Sequence, residues 1–392
     1  MLITWMLWLS SALLLLWQAA RWWRGLRRLQ AGPGPGGPSA GGAISPPEGV
    51  DWVLVAARDE AERLPALARA LERQTAPLRL VLVDDGSRDG TAELAERLFA
   101  HWPGARILRQ PATGKLAALQ GGLAQILAQA SPADRVCFTD ADCRPAAGWL
   151  AAHRAAHVRG AGLVCGHVRI LPEGAAGLSR ARRFENTVSS LQCALGCALG
   201  NPGYARGGNW STRAELLRQA GALDGLEHLG SGDDVHLVRR LLRCGARAQF
   251  LLDPQAEVET TESVRPLDLR RQARRRYGKL RDLALGERAR QLGLFGALAV
   301  QLALLALWLP DPRPRLALPL GLLGLLTLAA RALLVRGLQL LGEPELAARP
   351  LASALGLALH ALCHTGLGLL RGYEWKPAPA AFPPDGERER KA

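Results

Sequence analysis

Short apolar runs alternate with amphipathic stretches through the first half of the chain. Residues 53–56 and 80–83 are apolar runs bounded by polar residues, the pattern of strands buried on both faces. Residues 105–108 and 135–139 continue the series. Between these runs, apolar residues recur at helical spacing, which predicts helices over 60–74, 91–99 and 116–130. Strands alternating with helices imply an α/β fold with a mostly parallel sheet and right-handed crossovers. In such sheets ligands gather outside the carboxyl ends of the strands.

Longer apolar runs flank this region. Residues 1–19 are almost wholly apolar, and Arg21, Arg24, Arg27 and Arg28 come immediately after. A cleaved signal peptide carries its positive charge before the apolar stretch. The order here predicts an uncleaved anchor with its arginines, and the domain that follows, on the cytoplasmic side. Residues 31–49 are rich in Gly, Pro, Ala and Ser and read as a linker. A basic stretch over 265–276 precedes apolar runs at 291–309, 316–335 and 350–370, each long enough for a hydrocarbon layer about 30 Å thick. The expected layout is an anchor at 1–20, a basic segment and linker at 21–49, and a catalytic domain at 50–262. A basic interfacial segment at 263–290, transmembrane helices at 291–371 and a tail at 372–392 complete it. The expectation is a multi-pass protein of the cell inner membrane with a cytoplasmic catalytic domain. The basic stretch suits anionic membrane lipids.

The formal charge of +14 points to an anionic partner. Aromatic residues make up only 5% of the chain, which argues against a base-stacking platform and so against nucleic acid. Seven cysteines, an odd number without repeated short spacing, do not form a disulfide framework. They read as buried small hydrophobes in a reducing compartment. Cys193 and Cys197 can meet on one helix face, but no further metal partner for them is evident along the chain. The histidines His153, His157, His167, His228 and His236 make no ligand set; His153 and His157 suit one face of an ordinary helix.

Polar residues fall at the predicted strand ends: Arg58-Asp59-Glu60, then Asp84 and Asp85, then Asp140 and Asp142. Carboxylates gathered on one edge repel unless a cation holds them. Residues two apart in extended chain point the same way, so Asp140 and Asp142 can face one ion. Mg2+ or Mn2+ accepts such oxygens and keeps positions open for phosphate. Asp84 and Asp85 can instead accept hydrogen bonds from a nucleobase or a ribose.

These residues resemble family 2 glycosyltransferases, which have the GT-A fold, over roughly residues 51–279. Ala57-Arg58-Asp59-Glu60 is similar to the family's opening Ala-Arg-Asn-Glu, with Asp in place of Asn. Asp84-Asp-Gly-Ser-Arg-Asp-Gly-Thr91 is similar to its nucleotide-binding signature, and Gly114-Lys115 to the next block. Asp140-Ala-Asp142 resembles the metal motif, Gly208-Asn209 the acceptor-side segment, and Ser231-Gly-Asp233-Asp234 the block with the catalytic base. Gln272-Ala-Arg-Arg275 is similar to the family's Gln-x-x-Arg-Trp with the Trp replaced, which speaks against long-polymer synthesis.

The resemblance implies an inverting transferase that uses a UDP- or GDP-linked sugar donor and Mg2+ or Mn2+. Asp234 would be the base with Asp233 beside it, and Asp140 and Asp142 would hold the metal. Ala57, Arg58, Glu60, Asp84, Asp85, Lys115 and Asp140 would bind the nucleotide-sugar. Gly208, Asn209, Gln272 and Arg275 would face the acceptor and diphosphate. The flanking apolar and basic segments suggest a lipid or lipid-linked acceptor. The alternatives are a processive polysaccharide synthase and a catalytically silent nucleotide-sugar-binding protein.

Overall fold

The computed structural model describes residues 2–32, 49–171, 176–226, 232–261, 300, 303 and 317–348. Strands β1 (Asp51–Ala57), β2 (Leu78–Asp85), β3 (Ala105–Gln110) and β4 (Arg135–Asp140) all appear where the apolar runs predict them. Helices α2 (Leu64–Glu72), α3 (Thr91–Leu98) and α4 (Lys115–Leu127) connect them. The strands lie parallel in the order β3-β2-β1-β4, and Ala57 sits opposite Asp84.

Period-two alternation sorts their side chains onto two faces. Val53, Val55, Leu80 and Leu82 pack with Leu64, Leu67 and Ala95 of α2 and α3. Trp52, Leu54, Val81 and Val83 pack on the other side with Ala118, Leu123 and Ile126 of α4. Both faces are covered, which is why these runs are apolar throughout rather than alternating.

Beyond β4 come β5 (Cys143–Pro145), α5 (Trp149–Val158), β6 (Leu163–Gly166), β7 (Val168–Leu171) and α6 (Ala176–Ala198). They are followed by β8 (Trp210–Arg213), α7 (Ala214–Gln219), α8 (Asp233–Arg243), β9 (Ala248–Leu251) and β10 (Val258–Thr261). The sheet continues as β4-β8-β6-β9, with β8 antiparallel to both neighbours, while β5, β10 and β7 form a second, small sheet. Phe138 of β4 stacks on Trp210 of β8 at 3.8 Å between ring centroids, which welds the antiparallel strand to the parallel half.

The ends of the parallel strands differ in chemistry. At the amino end, buried Arg135 is held by Asp51 and the Gly49 carbonyl, and Arg154 Nε donates to Asp51 Oδ2 at 2.9 Å. The charges there are matched within the protein. The carboxyl end gathers an excess of acidic groups.

The flanking helices differ from the expected layout. Helix α1 (Leu2–Gln30) runs through the boundary placed at residue 20 and takes in the arginines assigned to a separate basic segment. Its last turns join the α/β domain: Leu26 is 3% exposed in the core that contains Leu191 and Leu195 of α6, and Arg28 Nη1 donates to Ala198 O at 3.4 Å. Helix α9 (Ala317–Leu340) corresponds to the run at 316–335 and packs on α1 and α6. After it, the fully buried carboxylate of Glu343 pairs with Arg169 Nη1 at 3.0 Å and with Arg183, fastening the short α10 (Pro344–Ala347) to β7 and α6.

Among the described residues no helix is long and apolar enough to cross a membrane, so the expected spans at 1–20 and 316–335 are not supported. Arg21, Arg24, Arg27 and Arg28 lie in the last third of α1, and Arg331 and Arg336 lie within α9. The runs at 291–309 (apart from residues 300 and 303) and 350–370, the segment 263–290 and most of the linker lie outside the described residues.

Candidate active site

The first wall of the site is made by the turns after β1 and β2. Asp59 adopts a left-handed backbone, with φ of 53°, a conformation that Asn and Asp tolerate better than most residues. The turn is tied to its neighbour by hydrogen bonds from Asp59 N to Ser87 Oγ (3.0 Å), Glu60 N to Thr91 Oγ1 (2.8 Å) and Arg88 N to Asp59 Oδ1 (2.9 Å). The two sequence blocks around Arg58 and Asp84 are thus one structure. The Glu60 carboxylate lies 3.3 Å from Arg63, whose guanidinium also reaches to 3.8 Å from Asp142.

Asp84 and Asp85, adjacent in sequence, have different work. Asp85 is fully enclosed and accepts from Gln110 Nε2 (2.9 Å), Thr113 N (2.9 Å) and Gly114 N (3.0 Å), with Arg58 at 3.5 Å. The direct ligand contact expected of Asp85 is therefore corrected: its oxygens shape the loop that starts α4 and presents Lys115. Asp84 uses Oδ2 to accept from Ser87 N at 3.1 Å, while its buried Oδ1 has no hydrogen-bond partner among the described residues. A buried acceptor left in this state is costly alone and is what a ribose or base donor satisfies.

The centre is where Lys115, Asp140 and Asp234 converge. Lys115 Nζ donates to Asp140 Oδ1 at 2.7 Å. Burial works against its charge, but the carboxylates of Asp140, Asp233 and Asp234 outweigh burial and hold its pKa well above the usual lysine value. Asp233 and Asp234 open α8; Asp233 is buried and Asp234 is partly exposed. The Asp234 carbonyl accepts from Ala205 N at 2.9 Å, which joins α8 to the loop before β8. Gly207 on that loop marks the meeting point. A methyl there would lie 3.7 Å from Asp140 Oδ2, 3.8 Å from Lys115 Nζ and 3.9 Å from Asp234 Oδ2.

Asp140, Asp142 and Cys143 each place one donor atom within 4.8 Å of the others. The carboxylates of Asp140 and Asp142 remain 34% and 26% exposed, so a ligand can reach them. Their hard oxygen donors fit Mg2+ or Mn2+. The Cys143 thiol is pushed up by burial and then by both carboxylates, so it stands as a neutral neighbour.

The acceptor side differs from expectation at Asn209. Its side chain is fully buried: Nδ2 donates to His167 O (2.8 Å) and Ala256 O (2.9 Å), and Oδ1 accepts from Trp149 Nε1 at 2.9 Å. His153 Nε2 sits 3.0 Å from the same oxygen. Asn209 anchors the loop bearing Gly207 and Gly208 and has no group left for an acceptor. His153 and His157 flank Ser211 in the same buried ladder; burial drives their pKa values down to about 4 and about 3.

Gln272 and Arg275 lie outside the described residues. Sequence reasoning missed Arg206, whose guanidinium donates to Ser189 Oγ at 2.7 Å and to Asn186 Oδ1, tying the site loop to α6. It also missed Gly207 itself; the only signal for either was adjacency to Gly208-Asn209.

This geometry is that of an α/β protein with a GT-A-like fold and a cluster of acidic groups at the carboxyl edge of its parallel strands. Residues 52–219 match the family described as Glycosyl transferase family 2. A curated relative, glycosyltransferase AglE of Haloferax volcanii, is 28% identical over 208 residues, 51% of this chain and 64% of that protein. The chain thus spans less than two thirds of the length of that relative. Among solved structures, the mannosyltransferase PcManGT of Pyrobaculum calidifontis in complex with GDP-Man and Mn2+ is 22% identical. The likeness covers 92% of this chain and 96% of that one with a TM-score of 0.50, and it establishes the fold.

Proposed function

We propose that this chain is a family 2 glycosyltransferase that moves a sugar from a UDP- or GDP-linked donor to a hydroxyl of a lipid or lipid-linked acceptor. The observation that carries the reading is the convergence of Asp140, Lys115 and Asp234 around Gly207. In this reading Asp140 faces the leaving group and Asp234 the incoming hydroxyl, Lys115 stands at Asp140, and the absent side chain of Gly207 leaves room for the sugar.

In this reading the nucleotide lies in the turns after β1 and β2, where Asp84 Oδ1 accepts a hydrogen bond from it. Mg2+ or Mn2+ held by Asp140 and Asp142 would polarise the diphosphate as a Lewis acid. Asp234 takes the proton of the acceptor hydroxyl as its oxygen bonds to the anomeric carbon. The bond to the nucleoside diphosphate breaks in the same displacement, and Lys115 takes up charge on the departing oxygens. Direct displacement of this kind inverts the anomeric carbon, as the resemblance to family 2 glycosyltransferases implies. Asp233, buried behind Asp234, favours the amino end of α8 and keeps the base in register.

Membrane attachment is supported by exposed apolar residues on two neighbouring helices. Leu9, Leu13, Leu16 and Trp17 of α1 and Leu325 and Leu328 of α9 are exposed on two helices that pack together. Arg21 and Arg27 lie over Trp17 and Trp23 on the first of these helices. Such residues suit the cytoplasmic face of the inner membrane, where anionic lipids meet the arginines and the acceptor arrives from the bilayer.

The test is incubation of membranes containing the chain with radiolabelled nucleotide-sugars, followed by lipid extraction and mass analysis. Label in a short lipid product with inverted anomeric configuration is expected. Label only in insoluble polymer, or none with any donor, overturns the reading.

A further inference from the structure

Cys193 and Cys197 stand one turn apart on α6, and the fold supplies the partner that the sequence alone did not. Cys165 of β6 faces them across the core, and the three sulfur atoms lie within 4.8 Å of one another. The sulfurs come from two elements, a strand and a helix, whose backbones are fixed independently by the sheet and by α6.

We propose that Cys165, Cys193 and Cys197 form a binding site for a thiophilic closed-shell cation, Cu+ or Zn2+, separate from the acidic site at Asp140 and Asp142. Three thiolates at about 2.3 Å from one ion lie about 4 Å apart, so the sulfurs need only a small inward movement to enclose it. Thiolate sulfur selects Cu+ and Zn2+ over Mg2+ or Mn2+. Exposures of 0%, 0% and 5% for the three residues favour a low-coordinate ion without bound water. The positive field of Arg206 reaches Cys193 and offsets part of the negative charge of such a site.

The surroundings are built closely around the triad. Cys193 Sγ donates to the Tyr204 carbonyl at 3.3 Å. Gly196, between the two helical cysteines, lets the loop before β8 come close: a methyl there would lie 2.4 Å from Pro202 Cα. The next residue, Ala205, is bonded to the Asp234 carbonyl. An ion at the triad would therefore staple α6 to β6 beside the loop that carries Arg206 and Gly207.

The experiment is elemental analysis and X-ray absorption on the full chain in detergent, purified without chelator and then titrated anaerobically with Zn2+ or Cu+. One equivalent of Zn2+ or Cu+ per chain is expected, with a shell of three sulfurs at about 2.3 Å. Metal analysis distinguishes the two ions. Cys193→Ala should lower occupancy at least tenfold, and Asp142→Ala should leave it unchanged. The sulfur shell of the unmodified chain needs no variant, so a poorly folding Cys193→Ala does not spare the proposal. Failure to bind either ion, an oxygen-only shell, a disulfide within the triad, or unchanged binding in a folded Cys193→Ala overturns it. A chain that transfers no sugar but binds the ion through sulfur would refute the proposed function and leave this site standing.

Discussion

Lys115 Nζ rests 2.7 Å from Asp140 Oδ1, so an ammonium occupies one face of a carboxylate assigned to a metal. The two cations share one anion. Lys115→Met should therefore tighten Mn2+ binding several-fold in the absence of nucleotide, because a competing charge is gone. Turnover should fall at least about 100-fold as charge on the leaving group goes unmatched. Electron paramagnetic resonance of free Mn2+ measures the first effect; weaker Mn2+ binding in the variant would sink the shared-anion account.

Asp234→Asn keeps shape and removes the base. Turnover should drop by about 100- to 10,000-fold, while donor binding stays within a few-fold. Asp142→Ala should behave oppositely, abolishing metal-dependent donor binding by calorimetry. Comparable turnover in the Asn variant, or donor binding in Asp142→Ala that ignores chelator, contradicts the respective role.

Gly207 offers a cleaner separation of folding from chemistry. The space beside it is bounded at 3.7–3.9 Å, ordinary contact distance, so a methyl fits the empty site without collision. Gly207→Ala should melt within a few degrees of the parent protein yet bind donor at least tenfold more weakly. Unaltered donor affinity would show that the sugar lies elsewhere.

The buried histidine ladder predicts a pH dependence of stability. His153 and His157 titrate at about 4 and about 3 when folded, against about 6.5 when unfolded. The unfolded chain thus binds more protons below pH 6.5, and stability is lost as pH falls from there toward 4. Each histidine contributes a slope approaching roughly 1.4 kcal/mol per pH unit inside that window. Thermal melting at pH 7.5 and 5.5 checks this; equal midpoints would mean that another group compensates. His153→Gln should flatten the slope.

The parallel half of the sheet was legible because its strands are apolar on both faces and its helices carry clear periodicity. The placement of Asp84 and Asp140 at strand ends, and of Lys115 and Asp234 at the starts of α4 and α8, was legible as well. The small sheet was not. Strands β5, β7 and β10 have three or four residues each, too short for a period, and they pair across large sequence separations. Asp85 and Asn209 misled for a related reason. Their types suggest ligand contact, and only three-dimensional burial reveals that their polar atoms are used by the protein. Cys165 belongs to the same class: its approach to Cys193 depends on how β6 meets α6. The flanking helices misled because an apolar run does not reveal where its helix ends. Helix α1 continues to Gln30 and buries Leu26 against the α/β domain.

That last contact gives helix α6 two masters. One side rests on Leu26 of α1 and on α9; the other, through Ser189 and Asn186, holds Arg206 of the site loop. A shortened chain beginning at residue 49 would lose helix α1 and the contacts it makes. It would strip the backing from Leu195, leave an oily scar on the α/β body, and let α6 rock beneath the loop that carries Arg206 and Gly207.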